Sequence, residues 1–294
     1  GVVGVSSSID QVGLFGHTPD DIGIPLGIMC GKDSYDEMSV TCDEKNVTAY
    51  ADRDFKKLKI AIPKQFCEYN NTDKEVRSVF ESVKKWFKEK GAIIDVVDIP
   101  ILKAANAICT IISLAEFASG LNRFDGIRYG TRIDKDEGYS ALYKETRTAG
   151  FGATVKRSIV MGNYLLSEEF SNDSYKKAKR VRVLLEQEVA KIYKNYDIIL
   201  SPTKPVLAAD SSQKNKDEMN CFTSFANLSR TAAITIPAGT TKDGFSVGVQ
   251  FAGSMYSEKK LLSLAQAWDK EHPNGGVPLQ DETSVFSTAL KEGN

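Results

Sequence analysis

An α/β fold is what the sequence predicts, and three stretches carry that prediction. Lys57–Ile62 (KLKIAI) and Ala92–Ile99 (AIIDVVDI) are β-branched runs of strand length, and between them Val76, Val79, Phe80, Val83 and Phe87 recur at helical spacing. Ser174–Asn195 carries Ala178, Val181, Leu185, Val189 and Ile192 on one helical stripe. Strand-like runs return at Asp197–Leu200, Ala233–Ile236 and Ser246–Phe251. Strands alternating with amphipathic helices define the α/β class.

Taken in order, Pro63 closes the first strand, and Thr72 and Asp73 can cap the helix that follows. Gly91 ends that helix as a C′ glycine, so the strands on either side form a β-α-β unit and should run parallel. Ile101–Leu121 reads as a long, mostly buried helix, and Arg123–Arg132 as a loop containing Gly126 and Gly130. Helices follow at Tyr139–Thr148 and Ala153–Glu168. On the helix at 174–195, the face bearing Lys176, Lys177, Lys179, Arg180 and Arg182 reads as the wet side of an amphipathic helix rather than a nucleic-acid patch. Asp210–Glu218 is too polar to be anything but an exposed loop, and a turn at Lys242-Asp243-Gly244 separates the last two strands. Ser257 caps a final helix through Lys270, with Leu261, Leu264, Ala265 and Trp268 inward. No repeat or flexible linker divides the chain, so one domain is expected over residues 1–272, with a mobile tail over 273–294.

The bulk properties exclude several classes. At 294 residues, with 41% hydrophobic and 26% charged residues, the chain is long enough for a sizeable core and has an ordinary globular composition. A net charge of −1 gives no general attraction to nucleic acid. Cys30, Cys42, Cys67, Cys109 and Cys221 are odd in number and scattered, which points to reduced thiols in a soluble cytoplasmic protein. The longest apolar stretch, Ile108–Leu114, is short of a membrane span. The chain opens on Gly1 rather than Met, as a processed chain or a piece would. His17 and His272 stand far apart with no HExxH pattern, so no zinc site or other metal site is expected. GxSxG, GxxxxGK[ST] and GxGxxG do not occur, so motifs alone give neither a hydrolase triad nor a nucleotide loop.

An ordered series of short segments supplies more. Ser6–Gly13 (SSSIDQVG) with a helix starting at Thr18-Pro19-Asp20-Asp21, Gly27–Asp33 (GIMCGKD) and Lys57–Pro63 resemble successive parts of the amidase-signature family. Asn122–Tyr129 (NRFDGIRY) resembles the version of that loop found in the A subunits of tRNA-dependent amidotransferases. Gly150-Phe151-Gly152, Val155-Lys156-Arg157, Asp197–Pro205 (DIILSPTKP), Asn227-Leu228, Ile236-Pro237 and Val249–Gly253 (VQFAG) continue the series, in order, to about Glu271. The resemblance implies a mixed β-sheet core flanked by helices, corresponding to the C-terminal two-thirds of the amidase-signature fold.

It also implies a chemistry: a serine nucleophile activated by a second serine and a neutral lysine, an acyl-enzyme, and backbone N–H groups holding the oxyanion. The family carries these in a glycine- and serine-rich signature that should lie before Gly1. No GGSS-like stretch occurs in the 294 residues, so no catalytic residue is assigned. Ser6, Ser7 and Ser8 read as a turn whose hydroxyls satisfy local backbone groups. On the substrate side the family's tyrosine falls at Cys109, its arginine at Ser158 and its aspartate at Asn220. A shift of one residue would put Arg157 in the arginine's place. A neutral Ser cannot form a guanidinium's bidentate clamp, and Asn keeps an acceptor without the charge. Cys109 alternatively reads as a buried thiol on an apolar helix.

Three functions remain open on the sequence. One is an A-subunit-like part of an amidotransferase that supplies ammonia to convert Glu-tRNA(Gln) or Asp-tRNA(Asn) to Gln-tRNA or Asn-tRNA, inactive as this chain alone. A B subunit binding ATP, magnesium and tRNA, and a small C subunit, would then be its partners; tRNA would be met only indirectly, and the chain itself would hold no cofactor. The others are a non-catalytic binding or assembly relative, that is, a pseudoenzyme, and a piece of a stand-alone amidase. No membrane contact is expected, and exposed core surface invites self-association.

Overall fold

The computed structural model describes residues 2–37, 39–41, 55–128, 130–207 and 222–273. In chain order the α-helices are α1 (Pro19–Met29), α2 (Lys64–Cys67), α3 (Lys74–Glu89), α4 (Ala105–Gly120), α5 (Tyr139–Gly150), α6 (Ala153–Leu166), α7 (Tyr175–Ile192), α8 (Ser224–Ser229) and α9 (Glu258–Glu271). The strands are β1 (Lys59–Pro63), β2 (Ile93–Val97), β3 (Ile198–Pro202), β4 (Ala232–Thr240) and β5 (Ser246–Gly253). Each of these five strands among the described residues coincides with a run read from sequence. The polar stretch 210–218 lies outside the described residues, and so does the tail beyond Pro273.

The chain folds into two compact units. Among the described residues, those within Gly13–Asp98, Ile192–Thr223 and Thr231–Asn294 make one, and those within Gly1–Val12, Ile99–Lys191 and Ser224–Arg230 the other. The first is built on a mixed sheet in the order β2-β1-β3-β5-β4. β1 runs parallel to β2 and β3, as the β-α-β unit requires, and β5 is antiparallel to both β3 and β4. Ile60 and Ile62 of β1, Ile198 and Leu200 of β3, and Val249 and Phe251 of β5 share one face at period two. α3 and α9 cover that face with Phe80, Val83, Trp86, Phe87, Leu261, Leu264 and Trp268. Each such side chain contributes about 1.5–3 kcal/mol through burial. Both indoles are satisfied: Trp86 Nε1 donates to Glu271 at 2.8 Å and Trp268 Nε1 to the Pro237 carbonyl at 3.0 Å.

Local signals explain the ends of α1 and α3. Thr18 and Asp21 form a capping box at α1, with Pro19 at its first position. Asp73 caps α3 by accepting from the Glu75 N–H, and Gly91 follows its end at φ +92°. Two expected caps are absent. The Thr72 hydroxyl is buried and has no hydrogen-bond partner among the described residues. Ser257 stands at the N-cap of α9, but its hydroxyl donates to the Ser254 carbonyl at 2.6 Å instead.

The second unit is helical. The predicted helix at 101–121 starts as a 3₁₀ turn, Pro100–Ala104, before α4 begins. With the 3₁₀ turns at both ends it makes a run of 24 residues, long and apolar enough by composition to cross a bilayer, although its longest uninterrupted apolar stretch is short. In this fold it is a packing helix. α6 lies so close that a Cβ at Gly162 would sit 2.1 Å from the Leu114 carbonyl oxygen and 2.6 Å from Ala118 Cβ.

Candidate functional site

On α4, Asn106, Cys109, Ser113 and Glu116 recur at intervals of three and four, a polar stripe on a mostly apolar helix. The N-terminal segment lies along it. Ser6 Oγ donates to the Ser113 carbonyl at 3.1 Å, and the Ser8 N–H donates to Glu116 Oε2 at 3.0 Å. Glu116 Oε1 also accepts from the Tyr175 hydroxyl at 3.5 Å. α8 closes the other end, where Ser224 Oγ and Asn106 Oδ1 are 3.3 Å apart and Asn227 Nδ2 donates to the Ile9 carbonyl at 2.9 Å.

The three serines form a tight turn. Asp10 accepts the Val5 and Ser6 N–H groups at 2.8 Å, while the Ser6 carbonyl accepts from Ile9 and Asp10 at 2.9 Å. Arg182 of α7 fixes the turn, donating from Nη1 to Ser8 Oγ at 2.8 Å, from Nη2 to the Ser8 carbonyl at 2.7 Å, and from Nε to the Leu228 carbonyl at 3.0 Å. This corrects the sequence reading of a uniformly solvated basic face: Lys176, Lys177, Lys179 and Arg180 are exposed, but Arg182 is half-buried. The signal for it is present in the sequence, because Ala178, Arg182, Leu185 and Val189 share a helical stripe.

Cys109 lies half-buried within this seam, its Sγ 4.0 Å from Ser113 Oγ. Burial raises the thiol's pKa above the ordinary cysteine value, and hydrogen bonds from Ser113 and Ser224 offset this only in part. The nearby charge, Arg182, cannot accept a proton. The seam can therefore position a polar group, but it does not activate its thiol. Ser158 lies on α6, where its hydroxyl donates to the Thr154 carbonyl one turn back at 3.0 Å. Arg157 is exposed on the same helix. Among the described residues no hydrogen bond joins Cys109 to either, and Asn220 lies outside the described residues.

The loop 122–128 is held by its own side chains. The Asp125 carboxylate accepts the N–H groups of Ile127 at 2.9 Å and Arg128 at 3.2 Å, and pairs with the Arg128 guanidinium. Those backbone bonds, then Arg128 itself, hold its pKa below the usual carboxylate value. Gly126, at φ +78°, lies so near α5 that a Cβ there would be 2.8 Å from Thr146 Oγ1.

A mixed sheet covered on one face by α3 and α9, together with a polar seam where an N-terminal serine turn meets a long apolar helix, defines an amidase-type α/β protein. The chain belongs to the amidase family, whose profile matches residues 1–262. It is 42% identical over 280 residues to the A subunit of glutamyl-tRNA(Gln) amidotransferase from Treponema denticola, covering 92% of this chain and 58% of that protein. The corresponding protein of Fusobacterium nucleatum is 35% identical over 285 residues, 96% of this chain and 58% of that one. Among solved structures, the A subunit of the same enzyme from Thermotoga maritima superposes with a TM-score of 0.71 at 28% identity, covering 94% of this chain and 56% of its own. A bacterial aryl acylamidase of the amidase-signature family, 18% identical with a TM-score of 0.67, shares the fold. The chain thus spans a little under three-fifths of the length of these relatives.

Proposed function

We propose that the chain is the A-subunit-like part of a tRNA-dependent amidotransferase, the component that takes the amide of glutamine and supplies ammonia to convert Glu-tRNA(Gln) or Asp-tRNA(Asn) to Gln-tRNA or Asn-tRNA. The observation that carries this reading is the 42% identity with the Treponema denticola protein over 92% of the chain. In this reading the α4 seam around Cys109, with Ser158 and Asn220, forms the glutamine side of the site, and Arg157 is the cation nearest in sequence to the altered arginine position. The lysine and serines of the family's chemistry are not among the 294 residues. Its partners are the B and C subunits, with ATP and magnesium on B, tRNA reached through B, and the whole in the cytoplasm. Apolar side chains exposed on α1 (Ile24, Ile28, Met29) and on α6 (Val160, Met161, Tyr164) support association with these partners or with a second copy.

The neutral residues Cys109 and Ser158 favour a second reading, a non-catalytic assembly relative. Glutamine assays separate the two. The chain alone is expected to release no ammonia from glutamine above background; turnover abolished by Cys109→Ala or Ser7→Ala would refute that expectation. Immobilised chain is expected to retain the B and C subunits at physiological salt, and failure to retain either sinks the amidotransferase reading. Glutamine-dependent formation of Gln-tRNA by the complex, once the family's lysine and serines are supplied to it, supports the first reading over the second.

A further inference from the structure

Beside residues 124–128 and 130–131, a cavity of about 280 Å³ opens within the helical unit, lined by none of the seam's residues. Phe124 and Phe151 wall it, 6.4 Å apart and edge to face, and Gly126, Gly130, Thr131 and Arg147 complete the lining that matters for binding. Both glycines have positive φ, +78° and +88°, a backbone that side chains rarely adopt. Arg147 is half-buried, and its guanidinium stands 4.8 Å from the rings of both Tyr143 and Phe151, which fixes its plane. Nη1 donates to the carbonyls of Leu121 at 2.7 Å and Phe124 at 3.3 Å. Nε and Nη2, the paired edge that grips a carboxylate bidentately, have no partner among the described residues. Three acids of the neighbouring segments are already engaged: Asp125 with Arg128, Asp134 with Arg132, and Glu145 with Lys135. Among the described residues, no acidic one lines the cavity.

An uncommitted guanidinium edge beside two aromatic walls is chemistry for an anion with a flat apolar body. We propose that this cavity is a binding site for a small aromatic carboxylate, with Arg147 taking the carboxylate and Phe124 and Phe151 the ring. The site is separate from the glutamine side of the seam and does not depend on the amidotransferase reading.

Benzoate and its neutral isostere benzamide test it on the full chain, by ligand-observed NMR and calorimetry. Benzoate is expected to bind one to one, and benzamide about ten- to a hundredfold more weakly, because it loses a charge-assisted hydrogen-bonded pair. Arg147→Gln should weaken benzoate by a similar factor, but it also frees two carbonyls and could loosen the loop. Thr131→Trp fills the cavity from an exposed position, and the Thr131 hydroxyl makes no hydrogen bond among the described residues, so it should abolish binding with the thermal transition unchanged. Three results overturn the proposal: equal affinity for benzoate and benzamide, benzoate binding that survives Thr131→Trp, or no benzoate binding up to about 10 mM, where even a millimolar site would fill.

Discussion

Gly162→Ala tests the α4–α6 contact, and its magnitude follows from the geometry. Ordinary contact for a Cβ begins at 3.4 Å, whereas this one would lie 2.1 Å from the Leu114 carbonyl oxygen and 2.6 Å from Ala118 Cβ. Neither is the far end of a flexible side chain, so the helices themselves must separate by roughly 1 Å, and separation on that scale forfeits a quarter to a half of the dispersion across the contact. Overpacking of this kind costs about 1–3 kcal/mol and occasionally more. Alanine returns up to about 1 kcal/mol through its better helix propensity. The net expectation is a destabilisation of about 1–2 kcal/mol, a fall in Tm of roughly 2–8 °C for a domain of this size. Urea and thermal unfolding followed by circular dichroism would read it. Gly150→Ala is the control: it sits at the C-terminal end of α5 with nothing within 4 Å of its added Cβ, and should be neutral or slightly stabilising. If Gly162→Ala left the midpoint unchanged or raised it, the close approach would not exist.

Other residues make equally direct predictions. Arg182→Met removes three donors from the Ser8 and Leu228 acceptors, and should cost about 1–3 kcal/mol and expose residues 2–12 to protease; Arg182→Lys, which lacks the fork, should not restore protection. Asp125 has a lowered folded pKa, so its contribution is present above the unfolded value of about 3.9 and is lost as pH falls through the folded value. Asp125→Asn should therefore flatten the acid limb of a stability–pH curve, and an unaltered limb would show that the loop is not held this way. Cys109 should alkylate slowly at pH 7, accelerating only above the usual thiol range, because burial disfavours its thiolate; rapid labelling at pH 7 in the folded protein would contradict the seam as described.

The sheet is readable because its strands are β-branched runs with clear punctuation. Ile198–Pro202 is buried at every position and still announces itself by composition. The polar stripe on α4 is not, because Asn106, Ser113 and Glu116 look like tolerated polar residues until the chain brings Ser6, Ser8 and Ser224 against them. Counting charges in sequence order instead of around the helix misplaces Arg182. α8 is six residues long with no cap or period to mark it, and four of the six are buried. Its formation comes from tertiary packing on α4, which local sequence does not encode. Of the four substrate-side positions, Cys109 lies within the seam, Ser158 bonds back to Thr154 on its own helix, Arg157 is exposed, and Asn220 lies outside the described residues.

The tie between Asn227 and Ile9 has a consequence for biosynthesis. Those residues are 218 positions apart, and each compact unit is assembled from three separate stretches, so the chain passes from one unit to the other five times. At ribosomal speeds of about 5–20 residues per second, Asn227 is made some 10–45 s after Ile9. Through that interval the serine turn has no α8 to receive it, and the apolar residues beside it, Val2 and Val3 among them, wait in an unfinished nascent chain. Protection of the N-terminal segment should appear late in translation, in step with the emergence of residues 224–230 rather than with that of α4.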